Sequence, residues 1–239
     1  MRSPLPTEIE QAIVGSWQCV DGRVHVSGDV DLSALGLERL PVVFGLVSGF
    51  FYCSDNPLIT LAGAPTRVGG DFYCTDTLLT TLEGAPEFVG GDFFVAHNRL
   101  LDVKGSPREV GGSFNCYRNR IGSLEGAPKK VTNDFYCSSN QLVTLEGGPL
   151  SVGRTYFCSN NRLVSLKGSP AAVSGNFSCA RNQLESLKGG PEYVGRNFYA
   201  YGNPLKVLDG APSKVKLGFY ADANTPGLEA FMASRRLRA

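Results

Sequence analysis

No run of about 18 apolar residues occurs in the 239-residue chain, which rules out the pattern of a membrane-spanning helix. The opening MRSPLPTEIEQAIVG also lacks the unbroken apolar stretch of a secretory signal, and this predicts a cytoplasmic protein. Charge is sparse and balanced. Lysine and arginine number 23 against 22 acidic residues, for a net charge of +1, so the chain has no basic excess of the kind that holds a polyanion. Histidine is nearly missing, with only His25 and His97, and no nucleophile, base and orienting group assemble around either. A structural role is expected for His25 and ordinary surface for His97. Seven cysteines are present without the paired spacings of a disulfide scaffold or a zinc site.

What is present is a repeat. VTNDFYCSSNQLVTLEGGP, beginning at Val131, recurs as VGGDFYCTDTLLTTLEGAP and VSGNFSCARNQLESLKGGP. An aromatic column runs through Phe51, Phe72, Phe93, Phe114, Phe135, Tyr156, Phe177, Phe198 and Phe219, each 21 residues after the last, with Val30 in phase ahead of them. Two residues on stand six cysteines, from Cys53 to Cys179, joined by Val95 and flanked by Leu32, Ala200 and Ala221. Three further on is an asparagine column from Asn56 to Asn224, with Thr77 the one substitution. Two leucine-type columns, a proline column and a valine column complete the unit. An uninterrupted period of this length is the signature of a solenoid whose coils each contribute one short strand and a return segment.

The alternation in Asp134, Phe135, Tyr136, Cys137, Ser138 has the period of a strand buried on one face, so Phe135 and Cys137 point inward and the other three outward. Ten such strands at about 4.8 Å spacing predict a parallel sheet about 43 Å long. The asparagines mark the bend after each strand, where their amides can pair freed backbone groups. Proline and glycine then close an irregular return. The cysteines, one per coil in an inward column, read as small buried hydrophobes, with no metal or other cofactor implied. The glycine pairs at Gly69, Gly90 and Gly111 lack the helix and lysine of a phosphate loop. Residues 1–28 read as an N-terminal cap with a short helix presenting Ile9, Ala12 and Ile13. The solenoid takes 29–224, and 225–239 read as a C-terminal capping helix presenting Leu228, Phe231 and Met232.

Phe135, Cys137, Asn140 and Leu142 fall on the second leucine, third leucine, asparagine and last leucine of L-x-x-L-x-L-x-x-N-x-L, and the chain therefore resembles the leucine-rich repeat family. The short proline-containing return is similar to the bacterial class of these repeats, and the cysteine-rich form to those of bacteriophage proteins. The resemblance implies a leucine-rich repeat solenoid, a parallel sheet of about ten short strands with irregular returns and capping helices. It also implies a non-enzymatic protein-binding scaffold, and the phage-like style implies a phage protein that occupies and inhibits a host protein in the host cytoplasm.

The outward strand face is the candidate site. Its central column is Tyr52, Tyr73, Phe94, Asn115, Tyr136, Phe157, Ser178, Tyr199 and Tyr220, seven of nine aromatic, with Phe50, Tyr117 and Tyr201 beside it. Arg99, Arg118, Arg120, Arg162 and Arg181 form a basic edge, and Asp71, Asp92 and Asp134 an acidic one. Aromatic neighbours strengthen a sheet by about 0.2–1 kcal/mol per pair. A patch approaching the roughly 800 Å² per side of a standard interface also predicts a protein partner, with tyrosine and arginine as its anchors. The alternatives are stacking of sugars or bases on the stripe, or a virion component or homo-oligomer built through the same face.

Overall fold

The structure, a computed structural model, describes residues 5–236; the first four residues of the N-terminal cap and the last three of the C-terminal one lie outside it. Each aromatic and the residue after it form a two-residue strand, and successive strands pair in parallel one repeat apart. Phe51–Tyr52 pairs with Phe72–Tyr73, and the ladder continues to Phe219–Tyr220. With the strand that passes through Val30 and Asp31, this front ladder has ten members. Period two does what the sequence requires: the inward aromatics and the cysteines beside them are fully buried, apart from a slight opening at Phe219. The inward rings stack from coil to coil with centroids 5.0–5.6 Å apart, worth about 0.5–1.5 kcal/mol per pair beyond the area they bury. The architecture is a leucine-rich repeat solenoid.

The return is more regular than expected. The valine column and the residue before it, from Arg67–Val68 to Lys214–Val215, form a second row of two-residue parallel strands running alongside the front ladder, with the pairing interrupted between Ser151–Val152 and Ala172–Val173. They escape recognition in the sequence because only the valine of each pair recurs. The outer member varies freely, through Arg67, Phe88, Glu109, Lys130, Ser151 and Tyr193. The turn between proline and leucine columns needs glycine, since Gly126 and its equivalents adopt φ values of 81–95°.

The asparagine ladder is explicit. Asn140 donates through Nδ2 to the carbonyls of Cys137 and Ser138 in its own coil and Cys116 in the coil before, while its Oδ1 accepts from the Ile121 amide at 3.0 Å. One side chain thus satisfies four backbone groups and ties two coils together. Asn119, Asn161, Asn182 and Asn203 repeat the arrangement with at most one bond changed. Thr77 is too short to span the gap. Its hydroxyl bonds to Asn98 Oδ1, and the buried Leu58 amide has no partner among the described residues. The ladder ends at Asn203: Asn224 is exposed, and Thr225 is buried beside it. There the chain leaves the repeat for the helix.

At the ends, α1 (Thr7–Gln11) buries Ile9 and leads into an antiparallel hairpin of β1 (Ile13–Val20) and β2 (Arg23–Asp31), joined by an Asp21-Gly22 turn with both φ positive. β2 pairs on its other side with β3 (Phe44–Val47) and β4 (Phe51–Tyr52), so the hairpin continues both rows of strands. At the far end α2 (Leu228–Arg236) packs Leu228, Phe231 and Met232 on the core, with Phe231 4.9 Å from the Phe219 ring.

Candidate functional site

The outward column stands where the strand period puts it, on the face opposite the core. Its rings are half-buried because they lean on neighbouring coils, except Tyr220 at the last coil, which is 48% exposed, while Ser178, expected outward, is buried. The stripe is divided into three groups. Phe50, Tyr52, Tyr73 and Phe94 form a chain of contacts with centroids 4.8–5.7 Å apart. Asn115 interrupts it, turning its carbonyl to the Tyr117 amide at 2.9 Å. Tyr136 and Phe157 stack at 5.5 Å, and Ser178 then breaks the row, its hydroxyl 2.6 Å from that of Ser159. Tyr199 stacks on Tyr220 at 5.0 Å and meets the edge of Tyr201 at 6.4 Å.

The two charged edges differ in kind. The aspartates are fastened: Asp29, Asp71, Asp92 and Asp134 each accept the backbone N–H of the coil that follows, at 2.6–2.8 Å. The acidic edge is thus a second ladder as well as a surface charge. Arg99, Arg118, Arg120, Arg162 and Arg181 are exposed. Burial, then Asp71 and Asp92, push the Tyr73 phenol up to about 12, and burial followed by neighbouring carboxylates raises Tyr52 and Tyr136. These hydroxyls remain neutral donors at physiological pH.

A column with no obvious sequence signal shapes the basic edge. The residue just before the ladder position (Asp55, Asp76, His97, Arg118, Ser139, Asn160 and Arg181) has φ between 52° and 58°, and Gly202 before Asn203 has φ 70°. This left-handed bend costs most residues energy, and Asp, Asn and His tolerate it best. In every coil but that of Asp76, which precedes Thr77, the asparagine that follows is held by its ladder bonds and fixes the bend in place. One consequence is a cluster in which His97 Nδ1 lies 3.4 Å from Asp76 Oδ1, the His97 ring 5.5 Å from Tyr117, and the Arg118 guanidinium 5.4 Å from the same Tyr117 ring. Ser138, expected outward, is buried, and its hydroxyl accepts the Ser159 amide at 3.0 Å.

Clefts also occur beside the other row of strands. A cavity of about 580 Å³ is lined by Ser16, His25, Ser27, Ser48 and Arg67, and one of about 460 Å³ by Arg67, Phe88 and Glu109. His25 has a structural task there, its Nδ1 accepting the Leu46 amide at 3.3 Å. Among the described residues no group of histidines, cysteines and carboxylates is arranged to hold a metal ion, and no helix is long and apolar enough to cross a membrane. The six column cysteines are buried free thiols. Burial pushes Cys116 up to about 12 and raises Cys53, Cys137, Cys158 and Cys179, which removes thiolate chemistry from the core.

No protein-family model and no curated protein matches the chain. Among solved structures it is similar to YopM from Yersinia enterocolitica WA-314, with 13% identity and a TM-score of 0.37 over 81% of this chain. The match covers 64% of that chain, less than two thirds of its length. The 21-residue coil itself, with its inward aromatic, cysteine and leucine columns and its asparagine ladder, makes the chain a leucine-rich repeat solenoid.

Proposed function

We propose that this solenoid is a non-enzymatic scaffold that binds a protein through its outward strand face. The observation that carries the reading is the stripe: aromatic rings packed coil against coil, already ordered, with a row of exposed arginines beside them. Rings held this way lose little freedom on binding, and aromatic and arginine side chains are the usual anchors of an interface. Tyr73, Phe94, Tyr136 and Phe157 form the apolar centre, while Arg99, Arg118 and Arg120 orient the partner. Tyr52, Tyr117, Tyr199, Tyr201 and Tyr220 extend the surface to either side. The similarity of the repeats to those of bacteriophage proteins gives the proposal its finer form, a host protein occupied and inhibited in the host cytoplasm.

The test is capture from a lysate with three baits: the unaltered chain, Tyr136→Ser with Phe157→Ser, and Lys129→Ser with Lys130→Ser on the opposite row. Proteins held by the first and third baits but lost from the second are the expected result. Loss from the lysine variant with retention by the aromatic one would move the interface off the stripe.

A further inference from the structure

The two ends of the solenoid are closed differently, and the N-terminal one leaves main chain open. In the hairpin the Asp31 amide bonds to the Ala12 carbonyl at 2.8 Å, which sets the parity of the antiparallel ladder. The even-numbered residues of β1 exchange bonds with β2, and Ile13, Gly15, Trp17 and Cys19 turn their N–H and C=O groups away from it. Among the described residues none pairs with that outer edge. The edge is eight residues long, whereas the strands of the coils have two. It carries none of the usual protections: IVGSWQCV contains no charge and no proline.

Its outward side chains are Val14, Ser16, Gln18 and Val20, in the order apolar, polar, polar, apolar. That order reads the same in both directions, as an antiparallel pairing with an identical strand demands. Identical strands paired about a two-fold axis keep their inner faces on one side only if the axis passes through a residue. Centred on Trp17, the axis sets Val14 against Val20 of the second copy and Ser16 against Gln18. The outward-turned groups of Gly15, Trp17 and Cys19 then exchange about six main-chain hydrogen bonds. Charges one strand further in agree: Asp29 lies beside Val14 and Arg23 beside Val20, so each four-strand row ends in opposite signs about 14 Å apart. Both valines are exposed in the single chain, Val14 at 67%.

We propose that two copies of this chain associate through β1, edge to edge about a two-fold axis at Trp17, joining their front sheets into one. The reading is independent of the aromatic stripe, which stays open in both copies.

Light scattering over a range of concentrations should show a monomer–dimer equilibrium. Val14→Lys with Val20→Lys sets like charges opposite one another and should weaken association at least tenfold. Val14→Lys with Val20→Glu carries as many charges on the same strand but pairs opposite signs, and should keep the dimer. Circular dichroism of both variants reports whether each is folded. Cross-linking fixes the register: in a Cys19→Ser background, Val14→Cys with Val20→Cys should oxidise to a covalent dimer. The two new thiols are six residues apart along one strand, too far to join within a chain. A monomer at every concentration, equal association of the two charged variants, or no covalent dimer on oxidation would each overturn the proposal.

Discussion

The same strands carry two aromatic columns, and they obey different rules. The inward one runs from Phe51 to Phe219 without a gap, each ring stacked on the next. The outward one is broken at Asn115 and Ser178 into three groups. Packing explains the first, since a missing ring in the core leaves a void that its neighbours cannot fill. It does not require the second, because the outer face tolerates a serine or an asparagine without losing register. Stability therefore resides in the inner columns, and the outer one is free to vary.

The largest expected effect comes from the thiols of the inner face. In the unfolded chain they take their ordinary value of 9.0, whereas burial holds Cys116 up to about 12 and raises four others. Above about pH 9 the unfolded state therefore binds fewer protons than the folded one, and stability falls as pH rises towards 12. Each of these five thiols removes about 1.4 kcal/mol per pH unit in that window. Urea midpoints should drop steeply from pH 9 to 11, and less steeply in a Cys116→Val, Cys137→Val variant built on the example of Val95. Equal midpoints at pH 9 and 11 would contradict the burial of these groups.

Next in size is the ladder. Asn119→Ala and Asn140→Ala should each cost about 1–3 kcal/mol, since backbone groups of two coils lose their partners. Chemical unfolding measures this, and a change below about 0.5 kcal/mol in both would remove the asparagines from the scaffold.

Two substitutions should sharpen the contrast by improving the inner face. Tyr156 is the one tyrosine in the inward column, and among the described residues its buried hydroxyl has no well-formed hydrogen bond, only the weakly polar thiol of Cys137 beside it. Room for the hydroxyl comes from Gly148, where every other coil but that of Gly190 carries alanine or serine: an added Cβ there would stand 3.3 Å from it. Tyr156→Phe should stabilise by about 1 kcal/mol, because a buried hydroxyl with no partner better than a thiol is removed and the ring stack is kept. Thr77→Asn should gain a similar amount by giving the Leu58 amide the acceptor that Leu79, Leu100 and Ile121 already have. Thermal melts of both variants decide; a lower midpoint in either would mean that the coil had adapted to the odd residue.

The smallest expected change in stability is on the outer face. Tyr136→Ser with Phe157→Ser removes one stacked pair and should cost less than about 1 kcal/mol. A loss as large as that of an asparagine would show that the stripe belongs to the scaffold after all.

Most of the fold could be read from the sequence because each coil repeats the same physical problem. The inward aromatics, the cysteines and the asparagine ladder each recur in one column, and one period locates them all. The second row of strands was hidden, since Arg67, Glu109 and Lys130 share a position but no chemistry. The left-handed bend at Asp76, His97 and Arg118 was hidden for the same reason: a backbone angle is repeated there while the side chains differ. At the candidate site the positions of the outward rings were legible from strand alternation. The breaks at Asn115 and Ser178 were legible too, but the fastening of Asp71, Asp92 and Asp134 depends on contacts between coils, which no single repeat displays.

The invariant 21-residue spacing has a consequence for how such a chain can change length. Each coil bonds to the one before and the one after, so a duplication or deletion of 21 residues returns every column to phase and asks nothing of the remaining coils. An insertion of any other size would set a phenylalanine against a glycine and an asparagine against a leucine. The molecule can therefore grow or shrink only in whole steps of about 4.8 Å, and its length is a quantised property, adjustable without redesign of the core.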